Sequence, residues 1–161
     1  MQPGDWIALS AARSADARLV GNLARRHDVH VVGIARSGDG ESLAYPVINL
    51  ARDGGVEAIT EYTGARQLAG FVDSIGGAVL ASVLSLLRAG ATIVSYGVLD
   101  DEPVPVRNSD LIYRNLTWRG FGIDHWLATR SQRGDTMTAE LWGATPGGCC
   151  PVVRRRCLRT E

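Results

Sequence analysis

GDWIALSAARSADARLVGNLARRHDVHVVGIAR, residues 4–36, reads as strand, tight turn, helix and second strand. Trp6, Ile7, Ala8 and Leu9 form a short apolar run ending at Ser10, and residues 11–17 carry little side-chain bulk. Over 16–26 the apolar residues Ala17, Val20, Leu23 and Ala24 recur at helical spacing and leave Arg18, Asn22 and Arg25 outside. Residues 29–35 are apolar and β-branched, the composition of a buried strand. A strand that hands its C-terminal end to a helix N-terminus makes a phosphate site, because unpaired main-chain N–H groups and the helix dipole face one point. The fingerprint Gly-x-Gly-x-x-Gly of such sites falls here on Ala12, Ser14 and Ala17. Small residues meet its packing demand without supplying glycine's easy access to positive φ. Asp16 would also set a carboxylate beside a bound phosphate. Two readings of this turn therefore stand: a nucleotide site, or an ordinary strand–helix corner.

Working outward, residues 37–46 are turn-rich, and a strand is predicted at 47–50. The connection of about ten residues between these strands is near the lower limit for a parallel crossover and hardly admits a full helix. A short helix is expected at 55–62 and a strand at 68–75, turned by Gly76 and Gly77. Residues 78–88 carry Val79, Leu80, Val83, Leu84 and Leu87 near a 3.6 period, a helix that Gly90 should stop. A fifth strand follows at 91–96. After a loop at 98–106 with the acidic run Asp100, Asp101 and Glu102, Asn108 or Ser109 is placed to cap a short helix through Arg114. The sixth strand is read at 116–123. Strands alternating with helices at this spacing predict an α/β fold, a Rossmann-like doubly wound parallel sheet of six strands.

In such sheets ligands lie at the C-terminal strand ends. Here those ends are small or polar: Ser10, Arg36, residues 74–77, Tyr96 with Gly97, and Phe121 with Gly122. A flat cofactor lying across the sheet needs such residues, and so do turns.

Composition narrows the chemistry. The 161 residues amount to one domain of ordinary size, with zero formal charge. No basic excess points to nucleic acid, and neither a membrane-length apolar run nor a signal segment is visible, so a cytoplasmic protein is expected. Every side chain among the 17 Lys+Arg residues is Arg. That removes the Tyr-x-x-x-Lys pair of short-chain dehydrogenases and the Walker phosphate loop. Cys149, Cys150 and Cys157 all sit near the end of the chain, with neither the spacing nor the His partners of a zinc site. Residues 131–161 have no period and end in a dense Arg stretch. They are read as an irregular tail without selected structure, of the kind an out-of-frame reading of GC-rich DNA produces, behind a folded domain at 1–130.

Several stretches resemble one family. PGDWIALSAARSADARLV (3–20), FVDSIGG (71–77), LLRAGATIVSYGVLDDEPVPV (86–106) and DLIYRNLTWRGFGIDHWL (110–127) are similar to the cofactor domain of medium-chain dehydrogenase/reductase proteins. The likeness is greatest to the enoyl-thioester reductase and quinone reductase branch. The more specific matches are residues 94–97 followed by Glu102-Pro103, and residues 119–121 followed by Trp126.

This resemblance implies binding of NADP(H), with hydride transfer to an activated double bond of a small-molecule substrate. By position, Ser14, Ala15 and Asp16 would lie against the pyrophosphate, and Ser10 would close the first strand beneath it. Ser74, Ile75, Gly76, Tyr96 and Gly97 would flank the nicotinamide half, and Phe121, Gly122 and Ile123 would approach the carboxamide. Arg36 stands where an NAD-preferring domain carries an acidic residue, which fits a 2′-phosphate partner or a solvated surface arginine. The strand around Trp118 is one that such proteins pair across a dimer axis, which protects its edge.

The departures are as specific. The family's separate catalytic domain, with its proton donor or zinc ligands, should precede this stretch. Arg13 replaces a characteristic Asn, and Asp16 and Ala17 replace Val and Gly. No catalytic residue is assigned: Tyr96 and His125, near the strand ends, read as packing or cofactor contacts. A cofactor-binding oxidoreductase domain is thus expected, with an inactive relic or dimerising fragment as the alternative.

Overall fold

The computed structural model describes residues 1–36 and 43–128. Residues 131–161, with their cysteines, lie outside the described residues. The elements are β1 (Trp6–Leu9), α1 (Ala15–Arg26), β2 (His30–Ile34), β3 (Val47–Ile48), α2 (Val56–Tyr62), β4 (Leu68–Asp73), α3 (Gly77–Val83), β5 (Leu87–Ser95), α4 (Asn108–Tyr113), β6 (Thr117–Gly120) and α5 (Ile123–Ala128). All pairings are parallel, in the order β3-β2-β1-β4-β5-β6. This is the doubly wound order, with its topological switch between β1 and β4.

Strand alternation feeds two cores. Ile7, Leu9 and Val31 pack with Ala17 and Ala24 of α1 and with Tyr45 on one face. Ala8, Val32, Phe71 and Ile93 pack with Ile59 of α2 and with Leu80 and Val83 of α3 on the other. Among the described residues no helix is long and apolar enough to cross a membrane.

The expected helix at 78–88 is the main correction. α3 ends at Val83, a single 3₁₀ turn covers Leu84–Leu86, and Leu87 and Arg88 already belong to β5. Long-range partners override the local period. Leu87 pairs with Leu68 of β4, and Arg88 grips the Asp5 carboxylate at 2.8 and 3.0 Å. Arg114 binds the carbonyls of Leu84 and Leu87. Gly90 is no helix stop: at φ +74 it sits inside β5, where the pairing with β4 shifts register. Burial pushes the Asp5 carboxyl up, but the Gln2 amide and the Arg88 guanidinium outweigh it and hold the group below the usual carboxylate range.

Other elements end at different residues than expected. β4 ends at Asp73 rather than residue 75, because the Asp73 carboxylate turns the chain. β3 stops at Ile48, and β5 stops at Ser95, one residue before Tyr96. β6 spans Thr117–Gly120 alone, so Phe121 and Gly122 lie beyond it and Ile123 opens α5. Arg107, rather than Asn108 or Ser109, is the N-cap of α4, with its N–H donating to Asp110 at 3.4 Å.

Candidate functional site

All strands being parallel, their C-terminal ends share one edge, and every sequence-predicted site residue lies along it. At the switch point two side chains, Ser10 and Asp73, lock β1 to β4. The Ser10 hydroxyl donates to Asp73 Oδ1 at 2.7 Å and accepts the Ser74 N–H at 2.8 Å. The Asp73 carboxylate accepts the N–H groups of Ile75 (3.1 Å) and Gly76 (3.0 Å). Ser10 and Asp73 are both 0% exposed. A buried carboxylate survives because its oxygens are met by fixed donors.

The β1–α1 turn runs without glycine. Ala11 takes positive φ (+46°), a backbone state that costs a residue with a Cβ about 1–2 kcal/mol. Close packing is rescued from the opposite side. A Cβ on Gly33 of β2 would lie 2.5 Å from the Ala12 methyl and 3.0 Å from the Tyr45 ring. Ala17, at the third fingerprint position, is buried. Thus the glycine missing from the turn is replaced by one in the facing strand. Ser14 caps α1 by accepting the Ala17 N–H at 3.1 Å. The first-turn amides of Ala15 and Asp16 precede any helical acceptor and are the donors an anion at this end would meet. Asp16 is exposed, 200° around the helix from Arg18.

α3 differs. The Asp100 carboxylate already covers its start, accepting the Ala78 N–H at 3.3 Å and the Glu102 N–H at 3.1 Å. Gly77, at φ +47, has no Cβ to strike that carboxylate. An incoming anion is therefore left to α1.

Tyr96 and Gly97 do meet Ser74. The Tyr96 N–H donates to the Asp73 carbonyl at 2.8 Å, and a Cβ on Gly97 would lie 3.0 Å from that of Ser74. Phe121 reaches the same edge through its N–H to the Ser95 carbonyl (2.8 Å), and its ring tilts against Trp126. Arg36 is exposed, two residues past β2, with its carbonyl bound by the Asn49 side chain.

Asp73 and Tyr45 carry no local sequence signal of a site, and Asp100 stands out in the sequence only as part of an acidic run. Asp73 before Ser-Ile-Gly has the pattern of a side-chain-stabilised turn. Tyr45 is announced only by glycines inside α1 and β2, since a Cβ on Gly21 or Gly33 would run into its ring. Its hydroxyl donates to the Ala12 carbonyl at 2.8 Å, and burial pushes its pKa up to about 12, with Arg18 and Arg13 opposing and Tyr96 adding. The unfolded chain loses this proton first, near pH 10, so stability should be full below pH 10 and fall as pH rises toward 12. Tyr45→Phe is expected to cost about 1 kcal/mol at neutral pH and to flatten that alkaline slope in pH-dependent urea melts.

This edge, with a buried hydrogen-bonded switch point beside a capped helix N-terminus, belongs to a Rossmann-like cofactor-domain fold. The chain belongs to the zinc-binding dehydrogenase family, whose model matches residues 17–135. A mitochondrial enoyl-[acyl-carrier-protein] reductase of Caenorhabditis elegans is 27% identical over 157 residues, covering 92% of this chain and 45% of its own length. The Etr1p/Etr2p heterodimer of Candida tropicalis, a mitochondrial 2-enoyl thioester reductase, superposes with TM-score 0.72 at 18% identity, over 89% of this chain and 44% of its own. Escherichia coli quinone oxidoreductase complexed with NADPH gives TM-score 0.70 at 19% identity, over 88% and 45%. The chain thus spans less than half the length of the relatives it matches. The metal in the family's name finds no ligand set among the described residues: no group of three or more His, Cys, Asp or Glu side chains is placed to hold one.

Proposed function

We propose that this chain is the cofactor-binding part of an NADP(H)-dependent oxidoreductase that acts on activated double bonds, such as those of enoyl thioesters or quinones. The observation that carries this reading is the switch point, where Ser10, Asp73 and Ser74 fix the crevice floor beside the N-terminus of α1. The small residues along the edge fit an extended dinucleotide. Ser14, Ala15 and Asp16 would hold its pyrophosphate by main-chain N–H groups. Ser74, Ile75, Gly76, Tyr96 and Gly97 would border the nicotinamide half, and Phe121, Gly122 and Ile123 its carboxamide side. Reduced nicotinamide supplies the hydride when bound, and the protein's share is to bind and orient. In this reading residues 1–130 form the cofactor-binding unit and 131–161 follow it as a tail. Substrate enclosure and proton donation are assigned to a catalytic domain outside this stretch.

The test is a fluorescence titration with NADPH and with NADH. Micromolar NADPH binding that exceeds NADH binding, and that weakens about tenfold or more in Arg36→Ala, is the expected result. No binding up to millimolar cofactor would sink the reading. β6 favours a dimer: it is an edge strand exposed throughout, with Trp118 38% exposed. Sedimentation of the same preparation reads this directly, since a monomer at the concentrations titrated would remove the β6 contact.

A further inference from the structure

The main-chain groups of β2 alternate between its two neighbours. The His30 N–H donates to the Asp5 carbonyl at 2.8 Å, on the side of β1. The N–H groups of Gly33 and Ala35 donate to the Pro46 and Ile48 carbonyls at 2.8 and 3.1 Å, on the side of β3. Val31 shares the parity of Gly33, so its N–H and C=O also point to the β3 side. There β3 offers them nothing, because its pairing with β2 starts at Gly33 opposite Val47. One rung earlier, the parallel pattern would set the Val31 carbonyl against the N–H of residue 46, which is proline and has none. Among the described residues neither group of Val31 has a main-chain partner, although Val31 is only 7% exposed. Buried main-chain groups are almost always paired, so this donor and acceptor stand out.

A cavity of about 260 Å³ adjoins Val31, and Trp6, His30, Tyr45, Pro46 and Tyr62 are among its walls. The Trp6 and His30 rings stack with centroids 4.8 Å apart, and Tyr62, 52% exposed, stands edge-on to Trp6 at 5.9 Å. Aromatic walls around a few convergent polar groups suit a flat ligand, and this volume suits one of one or two rings. An extended residue presents its N–H and C=O side by side. A cyclic amide carries the complementary pair, C=O next to N–H, on one edge of a ring. We propose that the open edge of β2 at Val31 binds a small aromatic lactam. Its C=O accepts the Val31 N–H, its N–H donates to the Val31 carbonyl, and its ring packs on the aromatic wall. Water in this space makes the same bonds without stacking, so the lactam displaces it with a gain. Val31 lies three residues before Ile34, about 10 Å from the strand-end edge, which separates this site from the nucleotide reading.

Proton–nitrogen correlation NMR of the whole chain, titrated with 2-quinolone and with 1-methyl-2-quinolone, tests it, because methylation removes the lactam donor. The Val31 amide should shift with 2-quinolone and saturate with a Kd below about 1 mM, and the methylated ring should bind at least about tenfold more weakly. Tyr62→Ala, at a half-exposed ring, should weaken 2-quinolone about threefold or more. Pro46→Ala supplies the missing N–H, which takes the Val31 carbonyl, and should weaken it about tenfold. Both variants are read at a temperature where thermal melts show them folded. A Val31 amide that does not shift with about 5 mM probe, equal binding of the two quinolones, or wild-type affinity in either variant overturns the proposal. None of these outcomes bears on cofactor binding, which the NADPH titration reads separately.

Discussion

Asp73→Ala is expected to lower the unfolding free energy by about 3–5 kcal/mol, a large share of what a domain of this size possesses. The substitution strips the Ile75 and Gly76 N–H groups of their acceptor and takes from the Ser10 hydroxyl the oxygen to which it donates. The buried Ser10 hydroxyl left without its acceptor costs about 1–3 kcal/mol, the half-buried Ile75 and Gly76 amides each add less, and the vacated volume adds to that. Asp73→Asn should be milder, about 2–3 kcal/mol, because one oxygen remains while the new amide sets a donor against an N–H. Urea melts followed by circular dichroism read both as a lower midpoint at unchanged slope. An Asp73→Ala chain within about 1 kcal/mol of wild type would mean that the switch-point network does not hold the two halves of the sheet together.

Gly33→Val should be as damaging, for the opposite reason. It adds bulk where a Cβ alone would already lie 2.5 Å from the Ala12 methyl and 3.0 Å from the Tyr45 ring. Overpacking of this kind costs about 1–3 kcal/mol, and the rigid sheet on one side and the pinned Tyr45 on the other place this case at the top of that range. The mechanism is checked with the smaller Gly33→Ala. Adding Ala12→Gly removes the methyl it strikes, so the double variant should be more stable than the sum of the single losses. A coupling of at least about 1 kcal/mol in the double-mutant cycle is expected. Strict additivity would show that the turn and β2 are not packed against each other as described.

The sequence revealed the sheet more readily than the site. The opening unit, the parallel six-stranded sheet and the strand-end edge follow from apolar runs and turn residues, which are local properties. The 78–88 segment misleads because Leu84 and Leu87 enter the same core as Leu80 and Val83, so a helical period persists after the helix has ended. What ends it is distant: Leu68 beside Leu87, and Asp5 on Arg88. The turn shows no fingerprint glycine, and its close packing against Gly33 and Tyr45 depends on residues far along the chain, so that packing is not legible locally.

The bond from Ser10 to Asp73 spans 63 residues, and β1, the first strand of this sheet to be synthesised, takes a central place in it. At about 5–20 residues per second, translation needs several seconds to deliver β4 after β1 has emerged. During that interval β2 can cover only one edge of β1, and the other edge stays unpaired on the nascent chain. The ribosome-bound state therefore presents an apolar strand edge that the finished molecule never shows.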